Sequence, residues 1–431
     1  MAGNLAEKCL KALSSDLSFS GQPTDYATHG IHSFAAKFPP QLPRLFIERL
    51  TQPGDLVLDP MVGSGTTLVE CLLLGRRGIG VDIDPLAVLI SRGKITKVNT
   101  RKLVEAADIV YRKALAEMVK YSPLFGNNSW EEARVKLSSR YDEESREFIN
   151  YWFRPETAIE LLHLVEVINE ERFEEDIKVL LRVALSAIIV TKSGGVSLAR
   201  DLAHSRPHRD LSKKVPSALA LFKRKVLEIA RAVAELPPDG LCEVVRGDAR
   251  RLPLESEVVD LIVTSPPYAS AIDYIRAHKF SLVWLGYSLK HLAELRKVYI
   301  GAEQRPSSLP RLGVPDVDEF IIKLVEKAGR KGLAVAKYFA DMREVLAEMY
   351  RVLKPGKPAI IVVGPSVVSG VYIPTGELLA EIGESLGFRY LGRATRPIAR
   401  DKRYLPVSAN SSRSGIEARI HEEDVIALIK E

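Results

Sequence analysis

The feature that most constrains the fold is an alternation of apolar segments and sharply marked turns in residues 55–95. A glycine turn separates the first apolar segment from an apolar-faced helix, and a proline opens the second helix. The predicted segments are the strand DLVLDP (55–60), the turn MVGSG (61–65), the helix TTLVECLLLG (66–75), the strand GIGVDID (78–84) and the helix PLAVLISRGKI (85–95). Strand, helix, strand and helix at this spacing predict βαβ units and therefore a parallel sheet.

The same pattern returns in the second half of the chain. Further strands are predicted within CEVVRGDARRLP (242–253), VVDLIVTSPPY (258–268), PAIIVVG (358–364), FRYLGRATRPI (388–398) and VIALIK (425–430). Residues 100–240 instead show helical spacing of leucines among Glu, Lys and Arg. We therefore expect an α/β fold with a doubly wound, mostly parallel, Rossmann-like sheet. Its parts are residues 1–99, a large helical insertion at 100–240, and residues 241–431 with a smaller insertion at about 290–337.

Composition places the chain among soluble globular proteins. Its 431 residues are 46% hydrophobic and 27% charged, and no apolar run is long enough to span a membrane. The first residues lack the apolar core of a signal peptide, so we expect a cytoplasmic enzyme without a membrane partner. Scattered cysteines and histidines show no metal-ligand spacing, so no metal is implied. A net charge of +6 is compatible with a polyanionic partner, and nothing indicates an oligomeric state.

The glycine turn has the features of a binding site for a nucleoside-bearing cofactor. Ligands of open parallel sheets bind at the carboxyl ends of the strands, and Gly63 and Gly65 allow the backbone to approach a ligand closely. The helix that starts at Thr66 and Thr67 offers free N–H groups to an anionic group. Asp82 ends the second strand, at about the distance expected for a carboxylate that binds ribose.

The type of cofactor follows from what the turn lacks. The dinucleotide fingerprint needs a third glycine where this chain has Leu68, and the phosphate-loop pattern GxxxxGK[ST] is absent. We therefore favour S-adenosylmethionine over a dinucleotide. Asp248, in the turn after the strand CEVVR, is a candidate for binding the amino group of the adenine ring. An ordinary Asx turn or helix cap explains this residue equally well.

The stretch TSPPY (264–268), which follows the apolar strand Leu261 to Val263, suits methyl transfer to an exocyclic amine. The lone pair of such an amine is conjugated with the aromatic ring, which makes the nitrogen a poor nucleophile. The Ser265 hydroxyl and the Pro266 carbonyl can accept hydrogen bonds from the two N–H groups of the amine. These bonds would direct the lone pair toward the methyl group of the cofactor. Pro267 stiffens the loop, and Tyr268 can stack on a base that has left its helix.

These segments together resemble the N4-cytosine and N6-adenine amino-methyltransferases of nucleic acids. LDPMVGSGTT (58–67) resembles the cofactor loop of that family, GVDIDP (80–85) its ribose motif, HSFAAKFPPQLP (32–43) the segment near the methionine end, and TSPPY its catalytic tetrad. The resemblance implies a methyltransferase sheet with base flipping and S-adenosylmethionine as cofactor. It implies a catalytic role for Ser265, Pro266, Pro267 and Tyr268. The implied cofactor-binding residues are Lys37, Phe38, Pro39, Asp59, Gly63, Ser64, Gly65, Thr66, Thr67, Asp82 and Asp248.

Serine at the first tetrad position goes mostly with N4-cytosine in this family, and aspartate mostly with N6-adenine. The chain departs from many relatives with this serine, because its cofactor loop precedes the tetrad and a long insertion separates the two. The order leaves the target-recognition part in doubt. Residues 100–240 are the first candidate and 300–340 the second.

Other basic and aromatic residues are candidate contacts to the substrate. The candidates just after the tetrad can reach the phosphates of a flipped nucleotide, or they form a solvated helix face; they are Tyr274, Arg276, His278 and Lys279. Arg400 and Arg403 lie in RPIARDKRYLP (396–406), where basic residues around an aromatic suit an unpaired strand, or an ordinary surface loop.

Several functions remain open from the sequence alone. The first is an N4-cytosine methyltransferase of DNA, acting beside a restriction enzyme, and the second is the same chemistry on ribosomal or other RNA. The tetrad cannot separate them, because it contacts the base edge and not the sugar. N6-adenine methylation and a nucleotide-binding protein without methyltransferase activity are the remaining alternatives.

Overall fold

The computed structural model describes residues 2–119, 129–191, 195–200, 207–269, 273–302, 306, 308–398 and 420–431. Its strands are β1 (Leu56–Asp59), β2 (Arg77–Asp82), β3 (Ala199–Arg200), β4 (His208–Arg209), β5 (Cys242–Arg246), β6 (Leu261–Thr264), β7 (Pro358–Val363), β8 (Ser366–Val368), β9 (Val371–Ile373), β10 (Phe388–Pro397) and β11 (Glu422–Lys430). Its helices up to the end of the large insertion are α1 (Ala2–Leu13), α2 (Gln41–Leu50), α3 (Thr66–Leu73), α4 (Pro85–Ile95), α5 (Thr100–Val119), α6 (Ser129–Arg140), α7 (Glu143–Trp152), α8 (Pro155–Glu170), α9 (Glu175–Ile189) and α10 (Ala218–Ala234). The later helices are α11 (Tyr274–Leu282), α12 (Leu289–Val298), α13 (Pro315–Ala328), α14 (Arg330–Val352) and α15 (Thr375–Ser385), and a 3-10 turn spans Ala27–Gly30.

A seven-stranded sheet forms the centre of the molecule, in the order β10-β11-β7-β6-β1-β2-β5. Neighbouring strands from β7 to β5 are parallel, whereas β11 pairs antiparallel with both β7 and β10. The expected α/β fold with a mostly parallel sheet is confirmed. The strand order reverses direction at β1, and ligands of such sheets bind in the crevice at the carboxyl ends beside that point.

Both faces of the sheet are covered, which explains why its central strands are continuous apolar runs. Val57 of β1 faces a core that includes Leu42 and Phe46 of α2. Leu56 and Leu58 face the opposite core, which α13, α14 and α15 help to form. Successive residues of β1 thus enter different cores, as the alternation of side chains along a strand requires.

The segment between β2 and β5 is mostly helical. Helices α4, α5, α8, α9 and α10 contribute to one apolar core of their own, which also takes in Phe280 and Trp284. Ala199–Arg200 and His208–Arg209 follow α9 in the chain and pair as a small antiparallel hairpin. No helix of the described residues is long and apolar enough to cross a bilayer.

The contact between α3 and the sheet explains how Leu68 replaces a glycine. Leu68 is fully buried and lies over β2, where two glycines make room for it. A Cβ on Gly80 would lie 2.8 Å from Leu68 Cδ1, and a Cβ on Gly78 would lie 3.0 Å from Leu68 Cδ2. The close approach of helix and strand is therefore obtained with glycine on the strand and a large residue on the helix.

Candidate functional site

The turn between β1 and α3 needs glycine at two positions. Gly63 has φ 48° and Gly65 has φ 77°, both in the left-handed region. A Cβ on Gly65 would also lie 2.9 Å from Ser91 Cα, so glycine lets α3 approach α4. Gly65 precedes α3 without any side-chain cap, which leaves the first N–H groups of the helix available to a ligand.

The side chains of this turn face inward. Thr67 is fully buried and donates to an Asp59 oxygen at 2.9 Å. The hydroxyls of Ser64 and Thr66 lie 3.2 Å apart and both residues are buried. The polar groups that this turn can offer to a cofactor are therefore mainly backbone N–H groups.

Asp82, at the end of β2, holds the turn in place. Its carboxylate accepts the Gly63 N–H at 2.8 Å and the Asp84 N–H at 2.9 Å. Burial and the neighbouring Asp84 charge raise the pKa of Asp82 to about 7. Asp82 nevertheless remains partly exposed at the carboxyl edge of the sheet, where its other lone pairs can accept hydroxyl donors.

Asp84 is committed to structure. Its carboxylate caps α4 by accepting the Leu86 N–H at 2.7 Å, and its other oxygen lies 2.7 Å from His278 Nδ1. His278 and then the capping N–H groups hold the pKa of Asp84 below its usual value in spite of burial. Of the two carboxylates, Asp82 is thus the better placed for a ribose, and that assignment stays a prediction.

An aromatic cluster lies beside the glycine turn. The rings of Phe34 and Tyr274 stack with centroids 5.6 Å apart, and the His278 ring lies 5.3 Å from Phe34. A Cβ on Gly63 would lie 3.4 Å from the Phe34 ring. The structure therefore places Tyr274, a predicted substrate contact, near the predicted cofactor site. His278, another predicted substrate contact, lies there too, whereas Phe34 was not predicted as a site residue although it lies in the segment HSFAAKFPPQLP.

The predicted methionine-end segment is only partly open. Phe38 is 8% exposed and packs in the core with Leu42 and Phe46. Lys37 Nζ donates to the His29 carbonyl at 3.0 Å, and Pro39 is half-buried. The packing of Phe38 gives this residue a structural role whatever else it contacts.

Asp59 connects the two halves of the site. Its carboxylate accepts the hydroxyl of Thr67 at the start of α3 and, at 2.7 Å, the hydroxyl of Thr264 at the end of β6. Burial raises the pKa of Asp59 to about 6. This predicted cofactor residue is 2% exposed, so its observed contacts are internal.

The TSPPY loop begins where β6 ends, beside the glycine turn, because β1 and β6 are parallel neighbours. Ser265, Pro267 and Tyr268 are half-buried, and Pro266 is buried. The Tyr268 hydroxyl donates to Glu423 Oε2 at 2.5 Å. Its ring lies against Gly364, where a Cβ would be 2.6 Å from Tyr268 Cε2. Burial raises the pKa of Tyr268 well above its usual value, and the Glu423 charge adds to this effect.

The carboxylate of Asp248 is engaged by Arg250. The Arg250 guanidinium donates to both Asp248 oxygens and also to Asp341 at 2.9 Å. Asp248 Oδ1 accepts the Arg250 N–H at 3.0 Å, as in an Asx turn. The turn geometry is present, and a contact between Asp248 and adenine stays a prediction.

The remaining predicted substrate residues divide into three groups. Arg276 is exposed and pairs with Asp273 at 2.9 Å, as expected of a solvated helix face. Lys279 is half-buried, with its Nζ 5.1 Å from the centre of the Phe148 ring. Arg400 and Arg403 lie outside the described residues. The described part of the chain contains no group of three or more His, Cys, Asp or Glu placed to hold a metal ion.

The site fits a nucleoside-bearing cofactor. Its turn has no side chain at Gly63 or Gly65, its helix N-terminus is uncapped, and its strand-end carboxylate is partly exposed. The backbone N–H groups of α3 would meet an anionic group, and Asp82 would accept ribose hydroxyls.

Known proteins are similar to this chain. Residues 15–92 match the DNA methylase family. Type II methyltransferase M.MvaI of Kocuria varians is 25% identical over 439 residues, covering 96% of this chain and 93% of that relative. Type II methyltransferase M.MjaII of Methanocaldococcus jannaschii is 25% identical over 362 residues, 65% of either chain. A solved SAM-dependent methyltransferase from Methanosarcina mazei is 10% identical, with a TM-score of 0.31, and covers 89% of this chain and 96% of that one.

Proposed function

Since this chain is related to the DNA methylases of the N4-cytosine and N6-adenine family and uses S-adenosylmethionine, we propose that it methylates the N4 amine of cytosine in DNA. One observation carries the proposal. The TSPPY loop and the glycine turn meet at one edge of the sheet, tied together by the buried Asp59 carboxylate. Site-specific modification beside a restriction enzyme is the biological setting that we propose.

The bound cofactor supplies an activated methyl group. The Ser265 hydroxyl and the Pro266 carbonyl accept hydrogen bonds from the two N–H groups of the amine. These bonds orient its lone pair toward that methyl group. The amine nitrogen would take the methyl group with the cofactor's thioether as leaving group, and the methylated nitrogen would then lose a proton to water. The proton becomes acidic only after methylation, so the loop needs no strong base and acts by orientation.

Tyr268 presents its ring to the target base. The base must leave the duplex to reach a loop at the sheet edge, and stacking on an aromatic ring stabilises an extruded base. The hydroxyl of Tyr268 points away into the protein, toward Glu423, and Gly364 leaves space for the edge of the ring. The ring is thus held from behind, which suits a stacking surface.

The helical insertion is our candidate for DNA recognition. α4 starts at Pro85, next to its cap Asp84 and near the predicted ribose site. Arg92 in its last turn lies 3.6 Å from Asp176 at the start of α9. α9 therefore runs back toward the carboxyl edge of the sheet, and the hairpin of β3 and β4 follows it. The hairpin lies on α7, where the Leu198 N–H donates to the Trp152 carbonyl at 2.7 Å.

Arg209 is the residue of this hairpin that we propose to contact DNA. Its guanidinium lies 4.3 Å from the centre of the exposed Tyr151 ring, an arrangement that orients the cation without neutralising it. If Arg209 binds a phosphate, Arg209→Ala weakens DNA binding on all sequences. It also lowers the slope of log affinity against log salt concentration by about 1, because one counterion fewer is released. Arg224→Ala on α10 is the matched control, because Arg224 is exposed and pairs with Glu228. An unchanged salt slope in Arg209→Ala refutes this contact.

The function is tested by product analysis. The protein is incubated with labelled cofactor and unmethylated genomic DNA or ribosomal RNA, and the products are digested to nucleosides and identified by mass. N4-methyldeoxycytidine from wild type, absent with Pro266→Ala, supports the proposal. N6-methyldeoxyadenosine refutes the choice of base, and label found in RNA alone refutes the choice of substrate.

A further inference from the structure

Two charged residues far from TSPPY in sequence stand behind its tyrosine. Glu423 lies in β11 and Arg396 in β10, and the two are direct partners across the antiparallel pair. Glu423 accepts the Tyr268 hydroxyl with one oxygen and an Arg396 N–H with the other. Arg396 also donates from Nε to the Leu17 carbonyl at 2.9 Å. A chain of hydrogen bonds thus runs from the tetrad to the segment after α1.

The burial of this chain makes its geometry restrictive. Glu423 is 6% exposed and Arg396 is 5% exposed, so neither charge is satisfied by solvent. A buried charge must be paired and hydrogen-bonded, and here each partner supplies what the other needs. Charge-assisted hydrogen bonds are also shorter and stronger than neutral ones, so the tyrosine hydroxyl has one preferred position.

One edge of the Tyr268 ring is closed by backbone. A Cβ on Gly364 would overlap the ring, at 2.6 Å from Cε2 and 3.1 Å from Cδ2. Gly301 packs beside the backbone of the loop, where a Cβ would lie 3.6 Å from the Tyr268 carbonyl oxygen. The Ser366 hydroxyl donates to the Ala269 carbonyl at 2.6 Å and fixes the next residue of the loop. The plane of the ring is consequently set by contacts at the hydroxyl and along one edge.

We propose that Glu423 and Arg396 are positioning residues, which fix the plane of the Tyr268 ring on which the target base stacks. The inference rests on the proposed function, because the base that meets Tyr268 is part of it. In this inference the Tyr268 hydroxyl has a role separate from stacking, which is to hold the ring in place through Glu423. A phenylalanine could stack on the base equally well, but it could not be held by Glu423.

A double-mutant cycle separates this role from a merely structural one. Tyr268→Phe, Glu423→Gln and the double variant are compared with wild type in single-turnover methyl transfer to genomic DNA. We expect each single substitution to slow transfer about tenfold, and Glu423→Gln to change the rate less than twofold once Tyr268 is Phe. Cofactor affinity, measured by calorimetry without DNA, should stay within twofold in all variants.

Arg393→Gln is the control for general effects on the two C-terminal strands. Arg393 also lies on β10, and it pairs near the surface with Glu377 at 2.6 Å. Its substitution should leave the transfer rate unchanged.

Three results overturn the positioning role in an active enzyme. The first is that Glu423→Gln slows methyl transfer equally in wild type and in Tyr268→Phe. The second is that the single substitutions do not slow transfer at all. The third is that cofactor affinity falls in parallel with the transfer rate. A wild type that methylates no DNA refutes the proposed function instead, and the inference then falls with it.

Discussion

Thr264 donates a hydrogen bond to Asp59 at 2.7 Å, although the two residues are 205 positions apart in the chain. The other Asp59 oxygen accepts the hydroxyl of Thr67 at 2.9 Å. One buried carboxylate therefore links the end of β6, which the tetrad follows, to the start of α3, which follows the glycine turn.

Substitution of each threonine should separate the two halves of the site. Thr264→Val keeps the shape but removes the bond nearest Ser265, so we expect transfer to slow about tenfold with cofactor affinity nearly unchanged. Thr67→Val should mainly weaken cofactor binding. Each change leaves a buried acceptor with one partner fewer and should cost about 1–3 kcal/mol of stability. Rates, calorimetry and thermal unfolding measure the three effects, and identical profiles for the two variants contradict this division.

Cofactor binding should depend on pH through Asp82. The pKa of Asp82 is raised to about 7 in the free protein, and ribose hydroxyls donate preferentially to the ionised carboxylate. Affinity should therefore rise between pH 6 and pH 8, with proton release on binding. Asp82→Asn should remove this component and weaken binding at pH 8 at least tenfold. Calorimetry in two buffers of different ionisation enthalpy checks both statements. Unchanged affinity in Asp82→Asn transfers the ribose role to Asp84.

The same residue should cost stability at neutral pH. A raised pKa means that the folded protein holds the Asp82 proton more tightly than the unfolded chain, whose aspartates titrate near 3.8. The stabilising contribution is complete below pH 4 and is lost as pH rises through about 7. Without cofactor, Asp82→Asn should therefore melt higher than wild type at pH 8 and close to it at pH 4. A variant that is less stable than wild type at pH 8 excludes this explanation.

Replacing Pro266 tests the rigidity of the tetrad. Pro266 is buried, so Pro266→Ala keeps a carbonyl at that position but frees the backbone that aims it. We expect transfer to be lost and cofactor affinity to stay within about threefold. Calorimetry that shows cofactor affinity lost in step with transfer removes the proposed role.

The large residue on α3 and the glycine on β2 at their contact predict that substitutions of Leu68 and Gly80 partly compensate for each other. Gly80→Ala places a methyl group 2.8 Å from Leu68 Cδ1 and 2.6 Å from Val62 Cγ2. This overpacking should cost about 1–3 kcal/mol, and Leu68→Ala should cost about 2–5 kcal/mol through the cavity it leaves. The double variant should lose less stability than the sum, because the new methyl enters that cavity. Strict additivity in urea unfolding shows that Val62, and not Leu68, limits the space.

Much of the sheet could be predicted because its signals are local. The glycine turn, the strand ends at Asp59 and Asp82, and the proline at the start of α4 depend on residues next to one another in sequence. The proximity of TSPPY to the glycine turn also follows from sequence, because parallel strands present their carboxyl ends at one edge.

Contacts between distant segments could not be predicted. β11 is a buried apolar run, and such a run has no sign of direction, so its antiparallel position between β7 and β10 was not foreseen. Glu423 lies near the start of that strand between Glu422 and Asp424, and nothing in the sequence marks it as the partner of Tyr268. The packing of Tyr274 and His278 of α11 on Phe34 likewise joins segments that are distant in sequence.

The hydrogen bond between Tyr268 and Glu423 orders events during protein synthesis. The carboxylate is made 155 residues after the tyrosine, so at roughly 5–20 residues per second the ring waits on the order of ten seconds for its partner. The glycine turn, Asp82 and the TSPPY loop have all left the ribosome by then. The Tyr268 hydroxyl can therefore meet its carboxylate only after β11, the last strand of the sheet to be made, has joined β7.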